Sequence, residues 1–90
     1  MKISYVKYAG NHSIHIGFED GVNGSVNLSD LVESGIFSVL KDVALFSKVY
    51  TTGYSVAWSE ELEIDAAALY AELTGKNPAT FYSSRAHASN

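Results

Sequence analysis

Apolar and polar positions alternate most regularly between Ser13 and Leu28. Ile14, Ile16 and Phe18 interleave with Ser13, His15, Gly17 and Glu19, and Val22, Val26 and Leu28 with Asn23, Ser25 and Asn27. A period of two marks half-buried strands, and Asp20-Gly21 between them marks a hairpin turn. The register follows from burial. A two-residue Asp20-Gly21 loop would set Glu19 across from Val22 and Ile16 across from Ser25, oily against polar along the whole ladder. A three-residue loop, Glu19-Asp20-Gly21, pairs Phe18 with Val22 and Ile14 with Val26. It is built as a type I turn followed by a left-handed residue in a G1 bulge. Gly21 takes the left-handed place, where a Cβ is penalised.

The same reading extends along the chain. Lys2 to Tyr8 alternates as a first strand, ending in the turn composition of Ala9-Gly10-Asn11. After Leu28, Asn27 or Ser29 can cap a short helical turn through Asp30 to Glu33, stopped by Gly35. Ile36, Phe37, Leu40, Val43 and Phe46 recur at spacings of three and four, which predicts a helical stripe lying on the sheet, with Asp42 able to divide it. Val49 to Trp58 returns to strand composition around Thr51-Thr52-Gly53. A three-residue loop there sets Tyr50 facing Tyr54, whereas a two-residue Thr52-Gly53 loop pairs Val49 with Val56. Burial does not choose between them, because both faces carry apolar residues; the three-residue loop is preferred. Asp65 can cap a helix from Ala66 to Thr74 with Ala66, Leu69, Tyr70 and Leu73 on one face, and Gly75 ends it. The expected architecture is α+β: a three-stranded antiparallel meander plus a second hairpin, with short helices and a C-terminal helix packed on one face. Residues 1–77 form the single domain and 78–90 a tail.

Composition narrows function by exclusion. Ninety residues make one domain of modest core, and an apolar fraction of 47% is enough for it to fold. With no cysteine, disulfides, thiolate catalysis and thiolate zinc sites are out. A net charge of -4 with only six scattered basic residues argues against direct nucleic-acid binding, which needs clustered Lys and Arg. The N-terminus has no apolar leader segment, and no apolar run approaches the roughly 20 residues of a membrane span, so a cytoplasmic location away from membranes is expected.

A family resemblance rests on Phe18-Glu19-Asp20-Gly21, then Leu31, Phe37, Leu40, Phe46, Trp58 and Leu69-Tyr70. The order F-x-D-G, a leucine-containing turn, F-x-x-L, a lone Phe, a strand ending in Trp and a closing Leu-Tyr resembles the small bacterial family known as domain of unknown function 2442, over roughly Ile3 to Leu73. Ser59 stands after Trp58 where that family commonly has proline, which bears on the turn rather than the fold. The resemblance implies an antiparallel sheet with helices on one face, occasional fusion to a helix-turn-helix domain and, in some members, proximity to toxin-antitoxin systems. It carries over no catalytic residue.

Candidate chemistry is sparse. His12 and His15, three apart in a strand, point to opposite faces and do not converge on one metal ion. Gly21 and Gly24 belong to no phosphate-loop pattern, and no serine sits in a nucleophile elbow. Glu60, Glu61, Glu63 and Asp65 are the densest charge; they read as a solvated acidic face, or as the carboxylates of a small metal-dependent or hydrolytic enzyme. The aromatics Tyr5, Tyr8, Tyr50, Tyr54 and Trp58 divide between core and exposed anchors. The sequence therefore assigns no catalytic, cofactor or metal-binding residue. It favours a non-catalytic protein-interaction or regulatory module with a protein partner, over the enzyme alternative. The candidate partner contacts are Tyr50, Tyr54, Trp58, Glu60, Glu61, Glu63, Phe81 and Tyr82. Phe81 and Tyr82, beyond Pro78, ask for a surface to cover them, either their own sheet or a second copy in a weak homodimer formed through the tail or an edge strand.

Overall fold

Alternation in the first half of the chain becomes a meander. β1 (Ile3–Gly10), β2 (Ser13–Phe18) and β3 (Asn23–Asn27) pair antiparallel in that order. The structure is a computed structural model and describes residues 1–75. The expected domain end at residue 77, the tail, and Phe81 and Tyr82 lie outside the described residues.

Ile14 faces Val26, and the β2–β3 loop closes as argued from burial. The Phe18 amide donates to the Val22 carbonyl at 2.8 Å, the Gly21 amide donates to the Phe18 carbonyl at 3.0 Å, and Gly21 has φ +96. The β1–β2 turn falls one residue later than composition suggests. Gly10 faces Ser13 across Asn11 and His12, both left-handed at φ 53 and 55, the signature of a two-residue type I′ turn. A register shift between Ile3 and Tyr5 lets β1 bury Ile3 and then turn Val6 and Tyr8 inward, so an unbroken alternation could not describe both halves of the strand.

The second sheet is larger than one hairpin. β4 (Tyr50–Thr51), β5 (Ser55–Ser59) and β6 (Leu62–Asp65) form another three-stranded antiparallel sheet. β6 is the acidic stretch itself: Leu62 and Ile64 alternate with Glu63 and Asp65, and the two apolar residues face the core. Neither loop weighed for Tyr50 to Tyr54 forms. Tyr50 faces Ala57 and Thr51 faces Val56, which leaves Gly53-Tyr54 as the loop with Gly53 at φ +101. Partners outside the hairpin hold this register. The Gly53 carbonyl accepts from the Ile3 amide at 2.8 Å and the Tyr54 carbonyl accepts from the Ala66 amide at 2.9 Å. The Thr51 hydroxyl bridges the loop, donating to the Ser55 carbonyl and accepting from the Gly53 amide.

Between the sheets the chain forms 3₁₀ turns at Leu31–Glu33 and Gly35–Lys41 and then α1 (Val43–Phe46). α2 (Ala66–Thr74) ends at left-handed Gly75, as its sequence predicts. Asp65 precedes α2 without capping it through its side chain; the Ala66 amide is satisfied by the Tyr54 carbonyl instead. The core lies between the inner faces of the sheets, with Ile16, Leu28, Phe46, Val56, Ile64 and Leu69 fully buried. α2 closes it over β3 and β6. A Cβ on Gly24 would come within 2.8 Å of Leu73 Cδ2, so glycine lets the helix lie close to β3.

Candidate functional site

The segment from Gly35 to Phe46 departs most from its sequence pattern, and the departure creates a surface. A 3₁₀ helix repeats every three residues, so burying Phe37 and Leu40 turns the adjacent column of Ile36 and Val39 outward. At Asp42 the backbone becomes extended and the carboxylate accepts from the Ala44 amide at 2.9 Å, restarting the chain as α1. α1 buries Phe46 alone. The continuous stripe expected through Ile36 and Val43 is therefore broken. Ile36 is 67% exposed, Val39 50%, Val43 46% and Leu45 39%.

This segment is held from both sides. Phe46, fully buried, has the rings of Tyr8 at 5.7 Å, His12 at 4.9 Å and Trp58 at 5.4 Å from its own. Two ring nitrogens anchor its backbone: His12 Nε2 lies 2.8 Å from the Leu40 carbonyl and Trp58 Nε1 donates to the Phe46 carbonyl at 2.8 Å. A carbonyl only accepts, so Nε2 of His12 carries the proton. The aliphatic side chains thus project from a backbone tied to both sheets.

Trp58 also fixes where the acidic turn sits. Its ring packs on Phe37 at 6.3 Å as well as on Phe46. β5 ends one residue later at Ser59, which faces Leu62 across Glu60 and Glu61. The exposed Glu60-Glu61 turn thus follows Trp58 in the chain, with Ser59 between. Lys41 lies within the segment and Lys48 two residues past its end, and Lys41 reaches Glu33 at 3.9 Å through two well-exposed side chains.

The remaining contact candidates lie elsewhere on the second sheet. Tyr50, Ala57 and Glu63 form a row across it, on the face opposite Val56 and Ile64. Tyr50 is exposed, as is Tyr54 at the loop tip, where the Lys2 ammonium stands 5.9 Å above its ring. Glu63 accepts from the buried Ser55 hydroxyl at 2.8 Å, and Ser55 and Thr52 share a hydrogen bond of 2.7 Å. Trp58 is partly buried with its N–H satisfied, so it serves as the floor of the surface. Glu60 and Glu61 occupy a turn while Glu63 and Asp65 share a strand face. The described residues contain no group of three or more acids or histidines that could hold a metal ion. His12 and His15 are separated, His15 stacking on Tyr5 at 5.8 Å outside the first sheet.

The F-x-D-G turn is joined to α2. Tyr70 donates to Asp20 Oδ2 at 2.6 Å and its ring meets Phe18 edge-on at 5.0 Å. The tyrosine hydrogen bond, helped by the Val22 amide, holds the Asp20 carboxyl below its ordinary range; the same bond raises the Tyr70 hydroxyl. The motif residues of the turn and of α2 are thereby one contact. Residues 3–75 match the family model described as protein of unknown function, DUF2442. The chain belongs to the DUF2442 family. No curated protein and no solved structure shows significant similarity to it. Among the described residues of this DUF2442 chain, no helix is long and apolar enough to cross a membrane.

The exposed aliphatic column is the part of the site that sequence reasoning missed. Its signal was present in Gly35 and Asp42, which bracket the segment too closely for a full amphipathic helix.

Proposed function

We propose that this DUF2442 chain is a non-catalytic protein-interaction module that docks its partner on the Gly35–Phe46 segment and the Glu60-Glu61 turn. The observation carrying the reading is the exposure of Ile36, Val39, Val43 and Leu45 on a backbone anchored by His12 and Trp58. Aliphatic side chains gathered in one stretch mark an interaction surface more often than scattered ones do. A backbone already fixed loses little further freedom on binding, which favours affinity. Glu60 and Glu61, which follow Trp58 in the chain and are exposed, supply charge for orientation and selectivity.

The test is retention of protein by the immobilised full chain from a lysate of its source, compared with Val39→Glu. Val39 is half exposed, so the variant keeps its melting temperature within about 4 °C, the largest shift that a surface change of up to roughly 0.5 kcal/mol gives in a domain of this size. Loss of the retained protein in the folded variant is the expected result. An unchanged retained set overturns the reading.

A further inference from the structure

We infer that β3 pairs antiparallel with β3 of a second copy of this chain, joining two three-stranded meanders into one sheet about a two-fold axis at Gly24. The Gly35–Phe46 segment takes no part in this pairing.

The ladder between β2 and β3 shows which backbone groups are left over. The Phe18 amide donates to the Val22 carbonyl at one end and the Leu28 amide to the His12 carbonyl at the other, each at 2.8 Å; between them Ile16 faces Gly24 and Ile14 faces Val26. Bonded and non-bonded pairs alternate in an antiparallel ladder, so Val22, Gly24, Val26 and Leu28 bond to β2. The amides and carbonyls of Asn23 and Ser25 therefore point away from it. β3 is the last strand of its sheet, both residues are exposed, and among the described residues no hydrogen bond reaches these groups.

Open strand edges invite pairing, and proteins blunt them with bulges, charge, short strands or a cover. The other edges here are managed in these ways. β1 has register shifts after Ile3 and after Tyr8, and its Ile3 amide is taken by the Gly53 carbonyl. β4 is only two residues long. On β6, the bond from the Ala66 amide to the Tyr54 carbonyl leaves Glu63 and Asp65 facing outward, so pairing with its own copy sets acid beside acid. β3 has none of these devices: its register is unbroken, and Asn23-Gly24-Ser25-Val26-Asn27 holds neither charge nor proline.

Asn27 is already engaged, its side-chain oxygen accepting from the Ser29 amide and hydroxyl. The pairing that uses Asn23 and Ser25 sets Asn23 opposite the other copy's Ser25 and puts Gly24 on the axis. Each such pair exchanges both N–H···O bonds and meets no like charge. The inner face names the occupant. Leu73 of α2 lies over Gly24, where a Cβ would come within 2.8 Å of its Cδ2, yet Leu73 is only half-buried. Paired strands lie about 4.8 Å apart, so a second β3 brings its own Gly24 and Leu73 alongside, and the two leucines cover each other across the axis. A bare extended peptide would complete the hydrogen bonds and leave Leu73 exposed.

The chain has no cysteine, so single thiols in the full chain report the register. Asn23→Cys and Ser25→Cys are mixed in equal amounts in a glutathione redox buffer. Opposed residues of a bonded pair have Cα atoms about 5.5 Å apart, within disulfide reach, whereas each cysteine stands about 7 Å along the strand from register with its own counterpart. The mixture is expected to form a disulfide-linked dimer at least about tenfold faster than either variant alone. Sedimentation equilibrium of the wild type is expected to show a reversible dimer with a Kd between about 10 µM and 1 mM. Ser25→Pro removes an N–H that β2 does not use, and is expected to weaken the dimer about tenfold or more. Asn23→Asp with Ser25→Asp leaves the backbone intact, sets acid beside acid and is expected to do the same. Circular dichroism and melting temperature establish that each variant is folded.

A wild type that stays monomeric at ~1 mM overturns the inference, as does a dimer indifferent to both the proline and the paired aspartates. Cross-linking no faster in the mixture than in either cysteine variant alone also overturns it. Hydrogen exchange of the Asn23 and Ser25 amides is expected to slow as concentration rises; protection already complete in the monomer means that another part of the same chain covers the edge, and overturns the second copy.

Discussion

Gly21 shows how far a single residue can be argued from sequence. Its φ of +96 is required by the three-residue loop, and a Cβ there meets no neighbouring atom within 4 Å, so the penalty for alanine is conformational rather than steric. Gly21→Ala is expected to cost about 1 kcal/mol or more, seen as a lower denaturant midpoint at unchanged slope. Tyr70 and Asp20 give a pH signature. Asp20 titrates below its ordinary 3.8 in the folded chain, so its contribution is complete above that value and is lost as pH falls through the lowered folded value. Tyr70 titrates above 10.0 when folded, so its contribution is complete below 10.0 and is lost as pH rises through the raised value. Tyr70→Phe is therefore expected to lower the midpoint near neutral pH and to flatten both limbs of the stability–pH curve. Denaturation at stepped pH checks it; limbs identical to those of the wild type would show that the hydrogen bond contributes nothing. No sequence pattern joined these residues, which are 50 positions apart and were visible only as separate parts of the family motif.

At the scale of elements, local chemistry decided some and neighbours decided others. The first hairpin and α2 follow their patterns because alternation, a left-handed glycine and a helix-ending glycine each had one consistent solution. The second hairpin had apolar residues on both faces, so its register was set by the Ile3 and Ala66 amides, which bond the loop carbonyls from outside. β6 was hidden because its outward positions are acids, which made a strand look like a solvated turn. The middle segment became 3₁₀ turns and a single α turn because Asp42 and the ring donors compete with helix continuation. Trp58→Phe keeps the ring contacts yet removes the indole donor, leaving the Phe46 carbonyl with the Val49 amide at 3.3 Å. It is expected to destabilise by roughly 1 kcal/mol, the net worth of one hydrogen bond. Thermal melting checks this, and an unchanged midpoint would mean that the anchor is dispensable.

For the whole molecule, the α+β class, the meander of the first three strands, the C-terminal helix and the family were legible in the sequence. Each depends on short-range periodicity or turn residues, which act through neighbours in the chain. Of the residues expected to touch a partner, Tyr50, Tyr54, Glu60 and Glu61 are exposed, while Trp58 is half-buried with its N–H on the Phe46 carbonyl. The aliphatic column of Ile36 and Val39 was signalled only by the close spacing of Gly35 and Asp42, since its exposure depends on a helix period that tertiary anchoring chose. Tertiary packing set Trp58 against Phe37 and Phe46, joining stretches that share no local signal. Long-range packing, with its choice among locally equivalent registers and helix types, decided the surface that the chain offers.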